Sequence, residues 1–255
     1  MVDHRVILVT AGSAGLGAAV ARLFAKQGFR VVVNYSSNIA RANDLVAELN
    51  GLEASSDLVG GTTRHIAIQA DLSSRPDVER LVSQTYEDMK RIDVIFSNGG
   101  WTQFRDTTRL DDNVFDEDWD MAYTMNVRSH LWLLNAAEQY LAATEGCFIT
   151  TASLAGISGM GSSLAYSVTK AAQIHMVKGL ASMVGPKIRV NTVSPGLLET
   201  DWSQRFTQEQ KEQHRSKTKL KRFAKVEDVA QQVLGFAECK SMTGVNIVID
   251  AGFLL

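Results

Sequence analysis

Tyr166 and Lys170 stand four positions apart in Tyr166-Ser167-Val168-Thr169-Lys170. On a helix that spacing puts both side chains on one face, one turn apart. A free phenol has a pKa near 10, too high for efficient proton exchange at neutral pH. An adjacent ammonium favours the phenolate and lowers that value. The pair is therefore a candidate general acid–base couple, giving a proton to a carbonyl oxygen or taking one from an alcohol. A second cluster, Thr10-Ala11-Gly12-Ser13-Ala14-Gly15-Leu16-Gly17, lies between an apolar strand and a helix. Small residues there let the backbone turn tightly, and the helix N-terminus offers N–H groups and a positive dipole end to a pyrophosphate.

The next strand bears on which dinucleotide fits. NAD-selective folds carry a carboxylate near its end for the ribose hydroxyls. Here the segment reads Val31-Val32-Val33-Asn34-Tyr35-Ser36-Ser37-Asn38, without an acid, and Arg41 follows one turn later. A carboxylate repels a 2′-phosphate, whereas amides and hydroxyls donate to it. Asn34, Tyr35, Ser36 and Ser37 thus predict NADP (NADPH) as cofactor.

These residues need elements to position them, and the chain alternates strand and helix throughout. Strands are expected at Arg5–Thr10, Phe29–Asn34, His65–Gln69, Ile92–Ser97, Gly146–Thr151, Lys187–Val193 and Val245–Ile249. Helices are expected at Leu16–Gln27, Ile39–Leu49, Pro76–Met89, Trp119–Tyr140, Ala165–Met183 and Val226–Phe236, with a long polar loop at Asn50–Arg64. Continuous apolar strands separated by helices predict an α/β fold, a single doubly wound, Rossmann-type parallel sheet with helices on both faces. No repeat, low-complexity tract or linker interrupts the 255 residues, so one domain over 1–255 is the expectation.

Together these motifs resemble the short-chain dehydrogenase/reductase family, from Val6 to Gly252. Thr10, Gly15 and Gly17 match the family's Thr-Gly-x-x-x-Gly-x-Gly turn, with Ala11 in place of its first glycine and Gly12 directly after. Ala14 stands where NADP-using members often carry Arg, which makes the expected NADP preference moderate. Asp71-Leu72 follows the third strand, where relatives hold the adenine ring. Asn98-Gly99-Gly100 is similar to the family's Asn-Ala-Gly. Ser153 resembles the family's catalytic serine in spacing and placement. Asn126, in Met125-Asn126-Val127, matches an asparagine that supports a water-mediated proton path to the lysine. In Pro195-Gly196-Leu197-Leu198-Glu199-Thr200, Leu198 and Thr200 fall where relatives contact the nicotinamide carboxamide.

The resemblance implies an NADPH-dependent, ketoacyl-reductase-like carbonyl reductase. Hydride passes between the nicotinamide and a substrate carbon, Tyr166 exchanges the proton, and Lys170 tunes Tyr166 and binds ribose hydroxyls. Ser153 orients the substrate oxygen and Asn126 anchors the relay. The implied cofactor-binding set is Thr10, Gly12, Ser13, Gly15, Leu16, Gly17, Asn34, Tyr35, Ser36, Ser37, Asp71, Leu72, Asn98, Gly99, Gly100, Tyr166, Lys170, Pro195, Gly196, Leu198 and Thr200. No metal is required, and the five histidines lack ligand spacing. Relatives pair their long helices, so a homotetramer or dimer through Trp119–Tyr140 and Ala165–Met183 is expected.

Bulk properties exclude other classes. A net charge of -2 implies neither nucleic acid nor a membrane surface as partner. The two cysteines, Cys147 and Cys239, lie far apart, and Cys147 sits in an apolar run that predicts a buried thiol. Apolar runs are too short for a bilayer, and Met1-Val2-Asp3-His4-Arg5 leads directly into a strand; the expectation is a cytoplasmic protein. The substrate is expected to be a small carbonyl or alcohol. Trp101, Phe104, Trp202 and Phe206 either line an aromatic or bulky apolar pocket or pack two loops together. Arg205–Lys225 reads as a basic, mobile lid, or as a site attracting an anionic or carrier-bound substrate. Asp106–Asp120 reads as acidic surface. Two alternatives share the scaffold: a non-catalytic NADP-sensing protein, and an isomerase or cyclase using Tyr166 as acid.

Overall fold

The structure, a computed structural model, describes residues 4–53, 65–159 and 161–255, without the side chains of Glu53, Trp202 and Arg205. Four-residue apolar runs without Gly or Pro make strands that are buried on both faces. Val6, Ile7, Leu8 and Val9 form β1, Val6–Val9, with no exposed surface. It is followed by α1 (Gly15–Lys26), β2 (Arg30–Tyr35), α2 (Ile39–Glu53), β3 (Ile66–Gln69), α3 (Arg75–Met89) and β4 (Val94–Ser97). The second half holds α4 (Asp116–Tyr123), α5 (Ser129–Ala143), β5 (Cys147–Thr151), α6 (Ala155–Ser158), α7 (Leu164–Val184), β6 (Arg189–Pro195), α8 (Gln208–Lys217), α9 (Val226–Glu238) and β7 (Asn246–Ile249).

All strands are parallel, in the order β3-β2-β1-β4-β5-β6-β7. Successive β1 side chains face opposite layers. Ile7 and Val9 join a core under α1, α2 and α9, while Val6 and Leu8 join one under α3, α5 and α7. This is the doubly wound Rossmann-type sheet predicted from the alternation. The strand order reverses between β1 and β4, and the crevice at that switch point, above the strands' C-terminal ends, is where such sheets bind ligands.

Several expectations change in detail. The helix predicted at Trp119–Tyr140 extends over Asp116–Ala143, but a widened π-helical turn, Thr124–Arg128, separates α4 from α5 and contains Asn126. Apolar periodicity cannot register one extra residue in a turn. The predicted loop at 50–64 begins as helix, because α2 runs on to Glu53; the remainder of it lies outside the described residues. Within Arg205–Lys225, read as a mobile lid with no helix assigned to it, α8 forms on a capping box in which Thr207 and Gln210 bond each other's backbone N–H. None of its residues is buried, so no apolar stripe announces it.

Candidate active site

The glycine turn leaves β1 at Thr10 and enters α1. Gly17 is dictated by contact: a Cβ there would stand 2.4 Å from the Ala11 carbonyl oxygen. Ala11 adopts φ 46°, the left-handed region that glycine favours, so the residue replacing the family's first glycine keeps glycine's conformation and bears the strain. Its N–H donates to Asn34 Oδ1 at 3.1 Å, and the Gly12 N–H donates to the Asn34 carbonyl at 2.8 Å. Ala14 begins α1 without a side-chain cap, and the first turn holds no acid. The amides of that turn therefore meet no competing carboxylate, which suits an anion.

A cavity of about 790 Å³ opens over the switch point. One wall is the turn, with Ala11, Ala14, Gly15 and Leu16, and the end of β4, with Asn98 and Gly100. The other is Pro195-Gly196-Leu197-Leu198 and Thr200, which follow β6. The walls nearly meet, because a Cβ on Gly15 would lie 3.3 Å from the Thr200 methyl. Ser153, Tyr166 and Lys170 line the floor of this cavity. The sequence-predicted residues of turn, floor and far wall thus converge from segments well separated in the chain.

Ser163 caps α7, its Oγ accepting the Tyr166 N–H at 3.2 Å, and so sets the phase that turns Tyr166 into the cavity. Ser153 hydrogen-bonds the Tyr166 phenol, which favours the phenolate, but burial outweighs it and pushes the phenol above its ordinary value. The net direction is therefore up, the reverse of the lowering expected from Lys170. Lys170 Nζ is 5.7 Å from the Tyr166 ring centre and donates instead to the Thr151 carbonyl at 2.7 Å and to Gln173 Oε1 at 3.0 Å. Burial lowers the lysine to about 7. A phenol held protonated is a proton donor, the form that reduction of a carbonyl requires.

Asn126 is fully buried behind this floor. Its Oδ1 accepts the Trp101 N–H at 2.8 Å, and its Nδ2 donates to the Trp101 carbonyl at 2.9 Å and to Thr169 Oγ1 at 3.0 Å. A Cβ on Gly100 would lie 3.3 Å from Asn126 Oδ1 and 3.5 Å from Lys170 Nζ, so the strand end passes close to both.

Comparison with known proteins agrees with this geometry. The family model described as enoyl-(acyl carrier protein) reductase matches residues 10–254. A putative ketoacyl reductase of the granaticin polyketide synthase from Streptomyces violaceoruber is 33% identical, over 97% of this chain and 95% of that protein. The 3-oxoacyl-(acyl-carrier-protein) reductase of Thermotoga maritima is 29% identical over 99% of each. A short-chain dehydrogenase from Burkholderia cenocepacia, solved with NADP, superposes with a TM-score of 0.87 at 30% identity, covering 99% of this chain and 98% of that one. The chain belongs to the short-chain dehydrogenase/reductase family.

Within this short-chain dehydrogenase/reductase, several residues expected at the cofactor also make structural contacts. The Thr10 hydroxyl, fully buried, accepts the N–H groups of Asn98 at 2.9 Å and Gly99 at 3.3 Å and ties β1 to the end of β4. Asn34 was predicted to donate to a 2′-phosphate. It is 1% exposed, and its amide N–H groups go to the carbonyls of Tyr35, Ile68 and Ala70, so that assignment is corrected: Asn34 braces the glycine turn. Asp71 is turned onto the Ser73 N–H and hydroxyl, and Leu72 fills the space over Gly99. Tyr35 is half-buried and Ser36 and Ser37 are exposed, at the end of β2 outside the cavity; Ser13 is half-buried in the turn.

Sequence reasoning named none of the lining that α8 and the C-terminal segment contribute to this cavity. Gln210, Gln213, His214 and Lys217 of α8 line it, together with Phe253 near the C-terminus. The His214 ring stacks on Phe253 at 4.3 Å. Of the four aromatics singled out, Phe206 lines the cavity and Phe104 packs edge-on behind it at 5.0 Å, so pocket and packing readings both hold in part. Trp101 enters the Asn126 bonds through its backbone, and the Trp202 side chain lies outside the described residues. The acidic segment pairs locally: Arg105 meets Asp112 and Asp118, and Arg109 meets Asp111. Cys147 is buried, which raises its thiol to about 11, and Cys239 is half-buried. Among the described residues, no helix is long and apolar enough to cross a membrane, and no three His, Cys, Asp or Glu side chains gather into a metal site.

Proposed function

We propose that the chain is an NADPH-dependent ketone reductase in which Tyr166 donates the proton. The observation that carries this reading is the Ser153–Tyr166 hydrogen bond at the floor of the cavity. Two hydroxyls side by side can converge on one substrate oxygen, which suits a carbonyl better than an isolated carbon–carbon double bond. The dinucleotide fits the residues present. The α1 amides and the crowded Gly17 turn would hold its pyrophosphate, Asn98 to Gly100 its ribose, and Pro195 to Thr200 its nicotinamide. When bound, it supplies the hydride.

Tyr166, protonated because it is buried, gives its proton to the carbonyl oxygen as negative charge develops there. Ser153 donates a hydrogen bond to the same oxygen and stabilises that charge. Lys170 places positive charge near the phenolate left behind, and Asn126 keeps Trp101 and Thr169 in register beside it. Exposed Ser36 and Ser37, with Arg41 at the start of α2, suit a 2′-phosphate. NADP in the Burkholderia cenocepacia relative, and NADPH in a blue fluorescent protein from a metagenomic library that is 28% identical with a TM-score of 0.87, support the cofactor choice.

Phe206, Phe253, Leu154 and Leu197 favour a bulky, aromatic or fused-ring ketone at the substrate end. We further propose a homo-oligomer working in the cytoplasm, since α4 and α5 leave Met121, Tyr123 and Leu131 exposed as an apolar surface. Light scattering that returned a monomer at micromolar concentration would refute the oligomer.

The test is NADPH oxidation with a β-ketoacyl thioester, a fused bicyclic ketone and a naphthoquinone. At least one should be turned over, and Tyr166→Phe should cut that turnover by roughly 10²-fold while NADPH still binds. Normal turnover in Tyr166→Phe sinks the assignment. Binding of NADPH with no turnover of any carbonyl points to the sensing alternative.

A further inference from the structure

Gln173 lies one turn beyond Lys170 on α7 and is fully buried. A buried amide is costly unless its groups are bonded. Gln173 Oε1 accepts from Lys170 Nζ at 3.0 Å, and Gln173 Nε2 donates to the Thr151 carbonyl at 3.2 Å. The same carbonyl accepts from Lys170 Nζ at 2.7 Å, closing a triangle. Thr151 is itself fixed, its Oγ1 donating to Asn98 Oδ1 at 3.0 Å. Two of the three ammonium donors are thereby engaged below the cavity floor, leaving one.

We infer that Gln173 is a positioning residue for the reaction, holding the Lys170 ammonium against the Thr151 carbonyl and so fixing where that charge stands relative to Tyr166 and the cavity. The inference rests on the reductase reading above only in taking Lys170 as part of the proton machinery. An unheld lysine has four rotatable bonds and three equivalent donors, and nothing in its own chemistry selects one place. The glutamine selects it with a neutral acceptor. A glutamate would bind the ammonium more strongly but cancel the charge that the phenolate needs.

The titratable groups acting around this cluster are Tyr166 on the same helix and His130 on α5. Burial, assisted by Lys170, holds His130 neutral with a pKa of about 3. Asn126, Thr151 and Gly100, from the other elements packed here, and Thr169 on α7 carry no charge. A shift in how Lys170 titrates therefore reports on Gln173 without interference from a neighbouring acid.

The experiment uses the full-length protein with isotope-labelled lysine, following the Lys170 resonance against pH by NMR without cofactor, and assigning it by its loss in Lys170→Arg. Gln173→Glu should raise the pH at which Lys170 titrates by about one unit or more, and Gln173→Met should lower it. Turnover of whichever carbonyl the native enzyme reduces should fall about tenfold in both, mainly in kcat. Opposite shifts with a common loss of turnover are what a merely structural glutamine would not give. If Gln173→Met fails to fold, Gln173→Glu, which keeps the length and the acceptor, decides alone. A Lys170 titration unchanged in Gln173→Glu overturns the inference. Failure of the reductase reading would show separately, as normal turnover in Tyr166→Phe.

Discussion

Arg41 and Asp201, 160 positions apart in the chain, form an ion pair at 3.1 Å. Arg41 opens α2 beyond β2, and Asp201 follows β6, with β1, β4 and β5 between those strands. For the two to meet, the segment after β6 must reach back over the strand ends, where the Thr200 methyl stands 3.3 Å from where a Cβ on Gly15 would lie. The pair closes a strap across the crevice assigned to the dinucleotide. The side chains are 48% and 68% exposed, so it is weak, worth up to ~1 kcal/mol.

If Arg41 reads the 2′-phosphate, Asp201 competes with that phosphate for it. Asp201→Asn is therefore expected to tighten NADPH binding by about 2- to 5-fold and leave NADH unchanged. Arg41→Gln should weaken NADPH by about tenfold and spare NADH. Fluorescence titration with each nucleotide measures this. Equal changes for both nucleotides would mean that neither residue senses the phosphate.

Tyr35→Asp restores a carboxylate at the end of β2. It should weaken NADPH far more than NADH and remove a native preference of about tenfold, or 1.4 kcal/mol. The quantity to compare is kcat/KM for both cofactors with one carbonyl substrate. Native efficiency with NADH equal to that with NADPH contradicts the cofactor assignment.

Ser153→Ala removes the hydrogen bond that favours the Tyr166 phenolate and leaves burial unopposed. The phenol should titrate at still higher pH, and kcat should drop by roughly 10²-fold with NADPH affinity retained. An unchanged phenol titration in that variant would place Ser153 outside the proton machinery.

Lys170 titrates near 7 in the fold, against 10.5 for an ordinary lysine. Between those values the unfolded chain binds the extra proton, so this residue makes the native state more stable as pH rises through that window. Lys170→Met should thus gain stability relative to native protein near pH 6, and the gain should shrink toward pH 9. Urea unfolding at both pH values checks the slope; a pH-independent difference would show that Lys170 is charged alike in both states.

Ala11→Gly relieves a left-handed φ of 46°. Strain of ~1–2 kcal/mol, less the entropy glycine loses on folding, leaves a net stabilisation of about 0.5–1 kcal/mol. Denaturant midpoints measure it. A destabilised variant would mean that the alanine methyl makes contacts worth more than the strain.

The sheet and its order of elements were legible because buried strands and amphipathic helices write their periods into the chain. β1 is four apolar residues in a row, and α1 follows a glycine turn that only a close backbone approach requires. The Tyr166–Lys170 pairing was legible because helical spacing is a local fact, whereas Ser153 was named through the family resemblance. The widened turn at Asn126 was not, since one inserted residue leaves no mark on an apolar pattern. Neither was α8, whose exposed polar residues form a cavity wall only where the chain folds back over β6. Asn34 looked like a phosphate donor because type and position along a strand do not reveal burial; the carbonyls that consume its amide come from β3 and the residue beyond it. The phenol's direction of shift, the hold of Gln173 and Thr151 on Lys170, and the Arg41–Asp201 strap were likewise decided by tertiary structure alone. Each depends on how much water is excluded and on which distant groups arrive within about 3 Å, and hydrogen bonds and Coulomb forces act through that space and not along the chain.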